Sequence, residues 1–528
     1  MTVRIVVNNV VSKLEADTAT LRTVRHHVAY RERQMPPIEA QKIIKGFFSV
    51  HRRYGGAGDL ARLFADGATC TRLEDLGVTQ ESLTRAQFES TVRQRGVWDG
   101  WVRLVESDGT FLTGLLAHVE RALALRAGID RSQIEWDDQR GMPPARQECW
   151  GDIDLYGYQS AAVAAFLRGG RGVIDLPPRS GKTRIAVAVA ATLGVPALYI
   201  APTVGIVDQT VRVFQDLLPN KTTIGLHSGL SSSAKNLRAI NAAHVVVTTP
   251  KTAAKVPNVH NRLLLIIDEF HHAAAKTWQA ASAAAGNAYW RLGLTGTHYR
   301  ADGRGMLMAG VLGRCLYKRT VGDMVALGRL VPARIAMLRI RGAVAATGYD
   351  IYRQGVVENV ERNRVLSDAA NLLVARGRRV LVLTKEIEHA HGLSSLIEGS
   401  VAVDGRDNER VDKMLAALAD GRVQAVVGTS VIGEGRDVPA ADALVYASGG
   451  QSKVKVVQDY FRALTASDGK TSAVVVDAAD TQHSTLLDHA ARRLQHYRGE
   501  KAFDAEVMEA GKFHSWLDDN RTFEADDA

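Results

Sequence analysis

A chain of 528 residues, 46% apolar and 23% charged, is too long for one hydrophobic core and reads as three or four folded units. Its formal net charge of +9 favours a polyanionic partner, and no apolar run nears the roughly 20 residues that span a bilayer, which argues against a membrane protein. Three scattered cysteines, Cys70, Cys149 and Cys315, support neither a zinc site nor a disulfide framework; with no signal-peptide layout at the start, a cytoplasmic protein is expected.

Residues 1–53 hold ten Lys/Arg against four Asp/Glu, whereas residues 499–528 hold three against nine, a basic arm and an acidic tail. Residues 1–11 alternate as a strand, and 20–33 and 38–54 have helical spacing before the Gly55-Gly56-Ala57-Gly58 loop. Residues 98–104 predict a strand, Ser107-Asp108-Gly109 a hairpin turn and 110–112 its return; Leu115, Val119, Leu123 and Leu125 then line a helix that stops at Gly128. Trp98, Trp101 and Phe111 have faces on which bases stack, although aromatics in hairpins more often fill a core. Pro143-Pro144 marks a linker, and Tyr158-Gln159 opens a further helix, with a Gln159 amide suited to the edge of adenine.

The most informative stretch is Leu-Pro-Pro-Arg-Ser-Gly-Lys-Thr at 176–183, between an apolar strand at 172–176 and an Ala/Val-rich helix at 184–193. Strand, loop and helix in this order make a phosphate-binding loop: the helix start presents free N–H groups, with Arg179, Ser180 and Gly181 forming the turn, Lys182 meeting the β/γ-phosphates and Thr183 ligating Mg²⁺. A second strand at 263–267 ends in Asp268-Glu269-Phe270-His271, placing Asp268 toward the Mg²⁺ shell and Glu269 as the base for the attacking water. Further apolar strands at 197–200, 245–248, 380–383, 424–427, 443–446 and 473–476 alternate with helices and split near 327–332. They predict two α/β halves with parallel sheets, whose ligands bind beyond the strand carboxyl ends.

Across residues 155–476 the motifs resemble those of superfamily 2 helicases, so two tandem RecA-like lobes are implied behind a small α+β DNA-binding region. Tyr158-Gln159 resembles the Q motif, 176–183 motif I, Ala201-Pro202-Thr203 with Gln209 motif Ia, and Thr248-Thr249-Pro250 motif Ib. Residues 268–271 match the DExH box, Leu294-Thr295-Gly296-Thr297 motif III, Leu383-Thr384 motif IV, and Gly428-Thr429-Ser430 through Pro439 motif V; motif VI falls at 458–465. The implied domains are 1–145, 146–327, 328–498 and the tail at 499–528, with ATP and Mg²⁺ as cofactors.

The resemblance implies that Gln159, Lys182, Thr183, Asp268 and Glu269 hold the nucleotide, and that Gly435, Asp437 and Arg462 complete the site from the second lobe. Pro202, Thr203, Thr248, Thr249, Thr384 and Thr429 are the implied contacts to one strand's phosphates, and His271, Thr295 and Thr297 the implied couplers of hydrolysis to movement. Four positions depart from the family pattern. Arg179 replaces a Gly, His298 a Pro, Phe461 the Gly of motif VI, and Thr465 its second Arg, commonly the arginine finger, which leaves Arg462 or Arg436 to serve.

Trp98-Asp99-Gly100, Arg103-Leu104 and Thr113-Gly114-Leu115-Leu116 resemble the N-terminal domain of phage UvsW-type recombination helicases, which implies duplex, branched or single-stranded DNA as partner, with Trp98 and Arg103 contacting it. Three readings remain open: a branch-migrating DNA helicase, an RNA helicase, and an ATP-gated DNA clamp with little hydrolysis.

Overall fold

The computed structural model describes residues 2–31, 101–141, 148–227, 234–272, 275–296, 305–348, 350–429, 441–450, 464–467 and 470–519. Trp98, Thr297, His298, Gly435, Arg436, Asp437, Phe461 and Arg462 lie outside them.

The amino-terminal region is built on β1 (Val3–Val7) and β2 (Val11–Glu15), which form a hairpin where one strand was expected. Helix α1 (Thr18–His27) follows, capped by Asp17, which accepts from the Thr20 N–H. Then come β3 (Ala29–Arg31), β4 (Trp101–Arg103), β5 (Thr110–Leu112), α2 (Leu116–Ala122) and β6 (Ile134–Asp138). The four-stranded sheet runs β5-β2-β1-β6, with β6 parallel to β1.

The expected hairpin of 98–112 is corrected. The Asp108-Gly109 turn forms, but β5 pairs with β2 and β4 with β3; a single bridge, Val105 to Phe111, joins the two arms. Phe111 is buried with Ile5, Leu14, Leu115, Val119 and Leu123, so its ring fills the core and is closed to a base. Leu125, expected on the buried face, is 66% exposed, because the chain widens into a π-turn at Leu123–Ala127 before Gly128 ends the helix at φ 69°.

The next sheet has strands β7 (Arg171–Asp175), β8 (Ala197–Ile200), β9 (Thr223–Leu226), β10 (Val245–Thr248), β11 (Leu264–Ile267), β12 (Trp290–Thr295) and β13 (Cys315–Lys318). Their order is β13-β7-β12-β11-β8-β10-β9 and every pairing is parallel. Runs such as Val245-Val246-Val247 are buried on both faces, as a parallel sheet between helices requires. The helices that matter below are α3 (Gly157–Gly169), α4 (Lys182–Leu193), α5 (Val204–Leu217) and α6 (Gly305–Leu312).

The second parallel sheet contains β14 (Ala333–Ile340), β15 (Val380–Thr384), β16 (Ser400–Val403), β17 (Ala425–Thr429), β18 (Ala443–Tyr446), β19 (Ala473–Asp480) and β20 (Phe503–Met508). Its order is β16-β17-β15-β18-β19-β14-β20. Two seven-stranded α/β lobes in tandem are therefore present, as the strand pattern predicts.

The expectation of a separate tail from residue 499 is corrected. β20 pairs with β14, Phe513 and Trp516 are buried, and the Arg334 guanidinium sits 4.1 Å from the Trp516 ring centre. The acidic residues of this segment neutralise lobe arginines: Glu509 meets Arg341 at 3.0 Å and Asp518 meets Arg376 at 2.7 Å.

The amino-terminal region is docked on the first lobe. A Cβ on Gly114 would lie 2.1 Å from the Ala309 carbonyl oxygen and 2.6 Å from that of Gly310, both in α6, so the approach admits glycine alone. Beside it, the half-buried Arg171 guanidinium at the start of β7 donates to the Asn9 carbonyl.

Candidate functional site

The loop at 176–183 takes its shape from its sequence. Pro177-Pro178 ends β7 by withdrawing two N–H donors from the ladder, and the Leu176 N–H crosses to the Thr295 carbonyl at 2.9 Å. Arg179 and Gly181 both adopt left-handed backbone, φ 70° and 72°, which explains why Gly is the usual residue at position 179: a side chain there is carried against its conformational preference. Gly181 is fixed by contact as well, since a Cβ would stand 2.4 Å from the Gln159 amide nitrogen.

Helix α4 opens without a side-chain cap, so its first-turn N–H groups and the positive end of its dipole face the loop. The Ser180 hydroxyl donates to the Pro177 carbonyl at 2.8 Å. Its carbonyl accepts from the Tyr158 hydroxyl at 2.9 Å and the Gln159 amide at 3.0 Å, while Gln159 Oε1 accepts from the Tyr156 N–H. Gln159 is buried, and these bonds make it a clamp between α3 and the loop. Lys182 Nζ lies 3.2 Å from the carbonyls of both Leu176 and Pro177, neutral acceptors that an anion's oxygens would displace.

Asp268 and Glu269 follow β11 at the same sheet edge. The Asp268 N–H continues the ladder to Ile200, and its Oδ1 accepts from the Glu269 N–H at 2.9 Å. Burial and the adjoining Glu269 carboxylate push the Asp268 carboxyl up to about 6, against the pull of the Lys182 ammonium. That opposing pull places the lysine and the aspartate in one site although 86 positions separate them in the chain. Glu269 stands at φ 45°, a left-handed backbone that turns its carboxylate out of the strand, and His271 Nδ1 lies 3.2 Å from its Oε2. Thr183 borders Tyr199, whose buried hydroxyl also borders Asp268. An uncapped helix start, a lysine, a hydroxyl and a carboxylate converge here, a donor set that fits a triphosphate with a divalent cation.

The residues expected on the nucleic-acid track separate into two groups. Thr203 is exposed and caps α5, accepting from the Ile206 N–H at 3.4 Å, with Pro202 partly exposed before it; Thr249 is partly exposed, its hydroxyl 3.2 Å from that of Thr252. Thr248 and Thr384 are fully buried, with hydroxyls bonded to the carbonyl of Leu226 and to those of Glu386 and Gly428, so their side chains shape the sheet edge. Thr429 is 7% exposed at the end of β17, and Arg103 lies on the β3–β4 ribbon. Thr295 is buried at the end of β12, where its carbonyl receives the Leu176 N–H.

Two side chains escaped sequence reasoning. Arg329, between the lobes, places its guanidinium 3.5 Å from the ring centre of Tyr156, which stacks on Tyr158 beside the loop. Its neighbour Leu330 bridges to Thr465, and Val331 bonds the Leu464 carbonyl, so the interlobe connection is stitched to the end of the motif VI segment. Tyr199 stands within the apolar run of β8, where a phenol among Ala, Leu and Ile is the available signal.

Residues 152–300 match the family described as Type III restriction enzyme, res subunit. The chain is 24% identical over 361 residues to the DNA 3′-5′ translocase XPB2 of Sulfurisphaera tokodaii, covering 60% of this chain and 80% of that protein. It is 23% identical over 455 residues to the ATP-dependent DNA helicase uvsW of Enterobacteria phage T4, covering 77% and 89%. Its fold matches that of the ATP-dependent Type ISP restriction-modification enzyme LlaBIII bound to DNA, with TM-score 0.52, 14% identity, and coverage of 73% of this chain and 34% of that one. With two parallel lobes and a phosphate loop facing an Asp-Glu pair, the chain is similar to superfamily 2 helicases of the XPB and UvsW kind, which are ATP-dependent enzymes.

Proposed function

We propose that this helicase acts on DNA, remodelling branched or duplex substrates such as forks, junctions and displacement loops in recombination, replication or repair. The observation that carries the motor chemistry is the meeting of Lys182, Thr183, Asp268 and Glu269 at one sheet edge. DNA as substrate is supported by the relatives, named as a DNA translocase and a DNA helicase, and by the basic amino-terminal segment.

In this reading Lys182 leaves the Leu176 and Pro177 carbonyls for the β/γ-phosphates, and the first turn of α4 binds the remaining oxygens. Thr183 and Asp268 would hold Mg²⁺, which when bound would offset charge on the phosphoryl oxygens. Glu269 orients the attacking water, and His271, in contact with that carboxylate, senses its charge. Thr295 ties motif III to the loop through Leu176. Gly435, Asp437 and Arg462 complete the site from the second lobe. Closure of the lobes around ATP and reopening after hydrolysis advance the protein along one strand, in the 3′ to 5′ direction of its relatives, with Thr203 and Thr249 among the residues holding phosphates.

ATP turnover measured on single-stranded, duplex and branched DNA and on RNA tests the proposal. Branched or single-stranded DNA should stimulate most; stimulation by RNA alone would replace it with an RNA helicase. Glu269→Gln should keep ATP bound and lose at least about 10²-fold in turnover. The clamp reading, favoured by Thr465 at the usual arginine position, predicts ATP-dependent DNA binding without strand separation.

A further inference from the structure

The strand β8 carries one polar side chain that neither the phosphate loop nor the Asp-Glu pair explains. Tyr199 is fully buried, in register with Ile266 of β11 and Val247 of β10, and its ring packs edge-on against Phe214 of α5. That ring contact is as well served by phenylalanine. The hydroxyl is not: among the described residues it makes no hydrogen bond of full geometry, and it ends beside Asp268, Thr183 and Thr210. A buried hydroxyl left short of a bond is destabilising, so its place between the two groups that face the cation is unexplained by packing.

Asp268 supplies the complement. One carboxylate oxygen already accepts from the Glu269 N–H, which fixes one end of the group and leaves the other free to rotate into or out of the site. A phenol donor at the second oxygen would hold the carboxylate in one orientation and favour its charged form. We propose that Tyr199 is a positioning residue for the cation side of the nucleotide site, donating to Asp268 and keeping it beside Thr183. The proposal rests on the reading of 176–183 and 268–269 as a Mg²⁺–nucleotide site, and it adds a residue from a strand that contributes nothing else to that site.

The test uses the full chain and a fluorescent ATP analogue, with binding measured in EDTA and across a Mg²⁺ titration, for the parent, Tyr199→Phe and Thr210→Val. Tyr199→Phe should need about tenfold more Mg²⁺ to reach half-maximal tight binding, the effect of losing one hydrogen bond to a charged group. Affinity in EDTA should stay at the parental value, and the melting temperature without nucleotide should not fall. An unchanged Mg²⁺ requirement overturns the proposal. So does an equal loss of affinity in EDTA, which would make the hydroxyl a support of the loop itself, and so does a Thr210→Val variant that reproduces the whole effect, which would make Thr210 the true partner. A parent protein whose binding ignores Mg²⁺ altogether would instead remove the underlying site reading.

Discussion

Asp268 shows how a single residue sets stability against activity. Its carboxyl, raised from 3.8 to about 6 in the folded protein, takes up a proton more readily folded than unfolded. The native state therefore gains stability as pH falls from above 6 toward 3.8, and the ionised carboxylate at neutral pH destabilises the nucleotide-free fold by on the order of 3 kcal/mol. In the proposed reaction, cation binding needs that ionised form. Asp268→Asn, which keeps the oxygen bonded to the Glu269 N–H, should melt at a higher temperature than the parent at pH 8 and show no ATP turnover. Parental turnover should decline as pH drops below about 6, and an Asn variant no more stable than the parent at pH 8 would contradict the assignment.

Among the elements, β20 is the one whose composition misleads most. Phe-Asp-Ala-Glu-Val-Met carries two acids and no aliphatic run, and it lies in a segment with nine acidic residues, so it reads as a solvated tail. An edge strand explains the pattern: one flank pairs with β14, and five of its six residues remain half-exposed. Phe513 and Trp516 then close over the lobe beneath Arg334. Ending the chain at residue 502 should cost at least about 3 kcal/mol in urea unfolding, from the loss of those two buried rings alone. A dispensable acidic tail would leave the urea midpoint unchanged.

At the scale of the whole molecule, the two lobes were legible because a parallel strand covered on both faces must be a short apolar run, and because each catalytic motif directly follows such a run at 172–176, 264–267 and 425–429. The amino-terminal region was less so. The Asp108-Gly109 turn is a local signal and was found, but the partner of β5 is almost a hundred residues upstream, and no local pattern announces β2. Arg329 and Tyr199 matter through groups that the fold brings to them, and position in the chain does not reveal that. The Gly114 contact with α6 belongs to this scale as well. Gly114→Ala should cost about 1–3 kcal/mol by overpacking and loosen the amino-terminal region from the motor, seen as faster protease cleavage with the nucleotide affinity of the lobe retained. Cleavage at the parental rate would show that this docking is not what joins the two.

β7 has one further property. Its carboxyl end delivers the loop proposed to grip phosphate, and its amino end, Arg171, grips the backbone of Asn9. Five residues of extended backbone, about 16 Å, thus form a stiff rod with the fuel at one tip and the accessory region at the other. The amino-terminal region is thereby fastened to the strand that carries the loop of residues 176–183, and in the proposed cycle it rides with the first lobe.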